Sequence, residues 1–396
     1  MMNRSLLQLI FFWFNVSLTL PATWLMLGLP MILHQQGWSG QELGLFQLAG
    51  LPAVIKLWLA LPVERSRMFR QRYKSWGCLL WLGLAILFAL LSQYDLQQNK
   101  SLLFSLLLGC SLLLAWCDVP VNALAIMLFQ RSEQVHAGSV RAVALFTGAV
   151  GGSGIMLLLW QHYGWAVPCL LMSGAALLCT ILLRFLPEPH AGEYQRMEIK
   201  GFFHQPGGKS WYPLCLLAFP FLGSGWLWLK PLLLDAGMPV EQVIMWVGVG
   251  GSVTGAVVSL LGARWLNRQN ASVALPGWLF FATLSLLLLA AGVGLKLPAT
   301  ILLTISTLMA AAIGGLSALM FMLMMAFSRK ESRAVDYGIQ ASLFTCSRLS
   351  VPLLSGLLLD RFGSGVMLTT LALCTLAVAV YAWQQRKAIA VRLAQP

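Results

Sequence analysis

Charge is scarce in this sequence. Of 396 residues, 10% are Asp, Glu, Lys or Arg, and only 13 are acidic. A soluble domain carries about 25% charged residues, so water cannot be the solvent for most of this chain, and a bilayer must be. No Cys-x-x-Cys pair occurs, and the five histidines form neither a His-Glu-x-x-His run nor a paired array. No metal site is expected. The eight cysteines (Cys78, Cys110, Cys117, Cys169, Cys179, Cys215, Cys346 and Cys374) fall in or beside apolar runs and read chiefly as small packing residues. There is no nucleotide-binding loop, so ATP is not expected as the source of energy, and no cofactor is implied. No His, Asp and Glu constellation has catalytic spacing at a membrane interface. That argues against an enzyme acting on lipid-linked groups. No attached domain is expected at either end, which argues against a sensor or scaffold.

What the chain has instead is apolar length. Hydrophobic residues make up 59% of it. Runs of spanning length recur at 6–33, 43–63, 76–92, 102–129, 140–160, 165–186, 211–234, 243–266, 273–294, 299–327, 334–359 and 366–383. The first run is too long for a signal-peptide core and reads as an uncleaved span. The expected fold is an all-α membrane protein of twelve transmembrane helices in two six-helix bundles. One long polar stretch divides them, giving an N-terminal bundle at 1–186, a central cytoplasmic loop at 187–210 and a C-terminal bundle at 211–396. A faint repeat agrees with the division. The fifth span of the first half opens Arg141-Ala-Val and is followed by Tyr163-Gly164; that of the second opens Arg333-Ala-Val and is followed by Phe362-Gly363.

The 26 basic residues set the orientation. With a cytoplasmic start, Lys100, Lys296 and Arg361 fall outside, Lys56, Lys230 and Arg348 fall within spans, and all the others lie on the cytoplasmic side. That bias predicts a multi-pass protein of a bacterial inner membrane with both termini in the cytoplasm. The net charge of +13 then serves anionic headgroups and orientation, and no nucleic-acid partner is expected.

The loop after the second span carries Glu64-Arg65-Ser-Arg67 and then Arg70. Twelve spans, a central loop and this acid-Arg cluster resemble the major facilitator superfamily, whose pattern there is Gly-x-x-x-Asp-Arg/Lys-x-Gly-Arg/Lys-Arg/Lys. Here Ala60 stands for the first Gly, Glu64 for Asp, and the internal Gly is missing. A narrower likeness rests on Gly37-Trp-Ser-Gly-Gln-Glu-Leu-Gly44, on Leu51-Pro52-Ala-Val-Ile-Lys56-Leu-Trp58 and on Lys230-Pro231-Leu-Leu-Leu-Asp235-Ala-Gly237. It is similar to the AmpG-related permeases, which include muropeptide permeases and RhtX/FptX-type siderophore permeases. The resemblance implies import by alternating access, with the smaller siderophore-type members favoured because muropeptide permeases usually have additional spans. A muropeptide-type permease, or an exporter of the same fold, is the alternative. Gly148, Gly151, Gly152 and Gly154 favour close helix approach in the fifth span; antiporters of the superfamily that the chain resembles often have Gly-Pro there, and the absence of a Pro after these glycines implies, by that resemblance, that drug export is not the task.

Charges inside spans are the candidate site, because hydrocarbon tolerates them only in service of a task. Lys56 and Asp118 lie at similar depth in the second and fourth spans. Either they form a static pair that locks the bundle, or they face the cavity, where Asp118 titrates or meets substrate. Asn122 shares the Asp118 helix face, and Pro120 between them favours a kink. Arg348 lies near the midplane of the eleventh span, with Gln340 two turns earlier and no acid at its depth. It is expected to bind an anionic group. Lys230, nearer the outer end of the seventh span, either joins it or snorkels to the headgroups. Three interior cations against one acid predict an anionic small-molecule substrate. Trp58, Trp116, Trp226 and Trp228 lie close to these charges in sequence, and their faces suit a catechol, thiazoline or sugar-like ligand. Glu64, Arg65 and Asp336 are candidate gating residues at helix ends. The expected partners are the substrate, protons carried by Asp118 and membrane lipid, with the chain acting as a monomer.

Overall fold

In a computed structural model the chain is described over residues 3–35, 38, 48–65, 71–94, 99–130, 133–188, 199–266 and 270–394, which are helical and hold no strand. The stretches 39–47, 66–70 and 189–198 lie outside the described residues. They include most of the Gly37–Gly44 motif, Arg67, Arg70 and ten residues of the central loop.

Asn3 opens α1 (Arg4–Gly28) by accepting the Ser5 amide at 3.1 Å, and Leu29–Gln35 extends the helix. The second crossing is not the continuous helix that its hydropathy predicts. Leu48–Ala53 is a 3-10 stretch, and α2 spans only Lys56–Arg65. Pro52 explains the break, since it has no N–H to give to a helical ladder and the next amides turn back by three residues (Val54 to Leu51, Ile55 to Pro52).

The remaining helices are α3 (Arg72–Ser92), α4 (Lys100–Leu128), α5 (Gln134–Tyr163), α6 (Ala166–Phe185), α7 (Gly208–Asp235), α8 (Ile244–Trp265), α9 (Ala271–Gly294) and α10 (Ala299–Ala326). The last stretch, Arg333–Ala394, is two helices joined at Gly363, α11 before it and α12 after it. Among the described residues, ten helices are long and apolar enough to cross a bilayer. Splitting one at Gly363 and adding the interrupted α2 matches the twelve expected crossings.

The repeat has a structural counterpart. Gly164 ends α5 at φ 80°, ψ −175°, and Gly363 ends α11 at φ 80°, ψ 172°. A side chain resists that conformation and glycine does not. Two compact units emerge, and α5 and α11 are each shared between them. The first comprises Met1–Leu128, Thr147–Met197 and Lys330–Ser342; the second comprises Phe129–Phe146, Glu198–Arg329 and Leu343–Pro396. The opening parts of α5 and α11 thus each belong to the unit that the rest of their helix does not.

In the first unit α3 packs along α6 and α4. Ser173 donates to the Ala85 carbonyl at 2.8 Å, Trp165 to that of Leu91 at 2.7 Å, and Phe14 of α1 meets Trp81. Gly148 and Gly152 of α5 back onto Thr19 and Leu20 of α1. Just past α6, Glu188 reaches back to the start of α3. Its two carboxylate oxygens accept the Tyr73 and Lys74 amides at 3.1 and 2.9 Å. Gln71, at the N-cap, supplies no side-chain cap of its own, so a residue more than a hundred positions away satisfies two orphan donors. Burial pushes the Glu188 carboxyl up from its ordinary range, and those amides with the Lys74 and Arg72 charges oppose it.

In the second unit α10 is the central helix, packed by α8 and α9. Ser259 donates to the Gly314 carbonyl at 2.8 Å, and Trp211 stacks on Phe327 at 4.9 Å between ring centroids. Gly138, in the opening part of α5, backs onto the Ala318 carbonyl of α10, and Arg141 lies over the Phe321 ring at 4.4 Å.

The Glu188 cap gives a stability prediction. Glu188→Ala is expected to cost about 1 kcal/mol, the usual worth of a helix cap, and Glu188→Gln less. Thermal unfolding of purified protein checks it, and equal midpoints for all three proteins would count against it.

Candidate functional site

Two buried carboxylates organise the polar interior of the first unit. Asp118 lies midway along α4, where the sequence supplies no other charge. Lys56 Nζ, from the first turn of α2, reaches Asp118 Oδ2 at 2.6 Å, and the two side chains are 15% and 8% exposed. The Tyr337 hydroxyl, from the opening part of α11, donates to the same oxygen at 2.6 Å. Asn122 Nδ2, one turn along α4, donates to Oδ1 at 2.8 Å and to the Asp118 carbonyl at 2.6 Å. A carboxylate stripped of water requires such donors, and here three segments supply them.

Glu64 is the second. Its Oε1 accepts the Tyr73 hydroxyl at 2.9 Å and faces Arg72 at 3.3 Å; its Oε2 accepts the Ala334 amide at 2.7 Å; and its carbonyl accepts from Arg72 at 2.9 Å. Ala334 lies in the first turn of α11, whose orphan amides favour an anion. Glu64 thus caps the start of α11, and the cation beside it is Arg72. Arg65 is exposed, with no hydrogen bond or ion pair to the described residues.

Two further contacts tie α11 to α2. The Leu57 amide donates to Ser342 Oγ at 3.0 Å. A Cβ at Gly338 would lie 2.9 Å from Ala60 Cβ and 3.0 Å from the Lys56 carbonyl oxygen, so the two backbones meet where glycine stands. Asp336 and Gln340 are fully buried one turn apart, with the Gln340 amide donating to the Asp336 carbonyl at 3.1 Å. The residues 56, 57, 64, 118, 334, 337 and 342 all belong to one unit.

No model of a known protein family matches the sequence. Solved structures do match it. The human organic anion transporter MFSD10 (TETRAN) superposes with a TM-score of 0.75 at 16% identity, over 95% of this chain and 98% of that one. A bacterial homologue of the iron transporter ferroportin gives 0.71 at 15% identity, over 98% and 100%. FucP of E. coli, a major facilitator superfamily transporter, gives 0.69 at 16% identity, over 96% and 98%. The chain has the major facilitator fold. At these identities the likeness is one of fold, and the site must be argued from its own residues.

Within that fold Arg348 and Lys230 belong to the second unit. Both are exposed, and neither makes a hydrogen bond or ion pair with the described residues. Arg348 occupies a seam between α11 and α7. Phe344, one turn before it, packs on Phe219 at 5.3 Å. Ser355, two turns after it on the same face, bonds Ser224 at 2.6 Å and accepts from Trp228 Nε1 at 2.8 Å.

The tryptophans named from sequence fall in different surroundings. Trp58 is 68% exposed, two residues from Lys56 and so on another side of α2. Trp116 stacks on Trp76 of α3 at 5.5 Å. Trp228 is held by Ser355. Sequence reasoning missed Tyr337, Ser342, Tyr73 and Arg72. Tyr337 carried the one available signal, a lone tyrosine inside the eleventh span directly after Asp336.

The ion pair predicts coupled stabilities. Lys56→Ala alone is expected to cost about 3 kcal/mol, because it strands a buried charge. Combining it with Asp118→Ala should recover part of that loss. Unfolding in detergent checks it, and additive losses in the double variant would show that the two groups are uncoupled.

Proposed function

We propose that this chain is a proton-coupled secondary transporter of the bacterial inner membrane. It imports an organic anion, such as a ferric siderophore, by alternating access. Its two six-helix halves, 1–186 and 211–396, joined by 187–210, rock about a central site. Both termini are cytoplasmic, and the monomer is the working unit.

One observation carries this reading. Arg348 keeps an open surface halfway along a spanning helix, with no hydrogen bond or ion pair among the described residues. A guanidinium holds its charge at any working pH and presents a planar fork of donors. An anionic group of the substrate is the counterion such a residue awaits. Lys230, likewise exposed, adds a second positive charge in the same unit. Water-filled clefts with low-dielectric walls strengthen such a field. The neighbours of like fold include one named as an organic anion transporter, and FucP is named as a fucose:proton symporter, which fits both the substrate class and the coupling ion.

In this scheme Lys230 and Arg348 take the anion, with Gln340, Trp58 and Trp116 as further substrate contacts. Lys56, Asp118 and Asn122 form the coupling site. Glu64, Arg65 and Asp336 serve the cytoplasmic gate, with the Glu64 carboxylate fixing the start of α11.

Uptake of a labelled ferric siderophore into proteoliposomes tests the proposal. An inward proton gradient should raise the rate, and Arg348→Ala should lower it about tenfold or more, as expected when a charged hydrogen bond is lost. Arg348→Lys should keep part of it. Full uptake in Arg348→Ala, or uptake indifferent to the gradient, would remove the anion site or the coupling respectively. Uptake of a muropeptide instead would move the substrate to that class.

A further inference from the structure

The opening part of α11 is held in the first unit by bonds of unequal sensitivity. The Leu57–Ser342 bond and the Gly338 contact do not involve an ionisable group. The Glu64–Ala334 and Tyr337–Asp118 bonds do, and the latter shares its acceptor oxygen with Lys56. We propose that Asp118 is a proton-binding site whose occupancy α11 senses through Tyr337. The inference deepens the transporter reading and rests on it for its purpose, while its chemistry stands on the geometry alone.

The argument follows from what one proton changes. With Asp118 ionised, Oδ2 accepts two short bonds at 2.6 Å, one from an ammonium and one from a phenol. Hydrogen bonds to an ionised acceptor are about twice as strong as neutral ones. A proton arriving from water adds to the carboxylate and leaves Lys56 protonated. The pair then loses its attraction, and Lys56, 15% exposed, becomes a buried cation without a counterion. That state is costly, and it is relieved by moving Lys56 towards water. Lys56 opens α2, and its carbonyl lies against Gly338. A shift of Lys56 therefore disturbs the surface that seats α11, at the same moment that the Tyr337 bond weakens.

The groups around Asp118 favour a single titrating acid. Lys56 faces it from α2 and Tyr337 from α11; Asn122 and Cys117 share α4 with it. Asp336 precedes Tyr337 on α11, and α1 and α3 bring only Arg4 and Arg72, Tyr73, Lys74 and Cys78, all near their starts. Tyr337 is a positioning residue in this scheme, since it transmits the state of Asp118 and does not itself carry the transported proton.

Amide hydrogen exchange of the protein in lipid nanodiscs tests the site without substrate. After correction for intrinsic rates, moving the wild type from neutral to acidic buffer should speed exchange at 334–342 by roughly tenfold and leave α9 unchanged. Tyr337→Phe keeps the ion pair but removes the link to α11, so its 334–342 segment should exchange fast already at neutral pH. The double variant Lys56→Met with Asp118→Asn removes both charges without stranding either, and its segment should ignore pH. A wild type whose 334–342 exchange does not respond to acid overturns the proposal. So does a Tyr337→Phe protein as protected as wild type, or a double variant that still responds, which would assign the effect to Glu64. If exchange responds but no gradient drives uptake, the proton site stands and the transporter reading falls; gradient-driven uptake with unresponsive exchange does the reverse.

Discussion

Hydrocarbon offers no hydrogen-bond partner, so each ionised group within a span must find its counterpart in the protein, in water or in a ligand. In this chain that constraint selects which helices lie together. Asp118 draws donors from α2, α4 and α11, and Glu64 draws them from α3 and α11. Apolar packing can join almost any two helices of suitable shape, but it does not specify depth or register well. Two carboxylates with fixed donors do specify them. They set the α2 and α4 levels against each other and fix where the first turns of α11 lie.

The same constraint gives the two repeat helices different characters. Both α5 and α11 carry Arg-Ala-Val in their opening parts, at Arg141 and Arg333, end at a glycine near φ 80°, and divide between the two units. The opening of α5 is seated on α10 by the close approach of Gly138 to a carbonyl and by Arg141 on an aromatic ring. The opening of α11 is seated by a charged cap, a phenol on a carboxylate and a glycine contact. A common layout thus carries different side-chain chemistry at its two equivalent places.

Much of this was legible in the sequence. Apolar length gave the twelve crossings, because the bilayer imposes length directly. The cost of a lone buried charge pointed to a partner for both Lys56 and Asp118 at one depth, and they meet at 2.6 Å. The helix-end position of Glu64 marked it as a gating candidate, and its carboxylate meets the first turn of α11. What stayed hidden was of two kinds. The interruption of the second span depends on hydrogen-bond counting around Pro52, which a hydropathy window averages away. Tyr337, Ser342 and Arg72 depend on which helices become neighbours, and single-chain periodicity does not carry that. Trp58 and Trp116 each lie two residues from a buried charge, and residues two apart in a helix point to different sides, so nearness in sequence does not by itself fix contact.

The cysteines have a practical consequence. Seven of the eight are buried or half-buried, and Cys346, two residues before Arg348, is the exposed one. A thiol reacts as its anion and requires access to water. The native chain therefore carries one exposed thiol on α11, two residues from Arg348 and on a different side of the helix, where a dye or spin label can report movement of that helix without engineering a new cysteine.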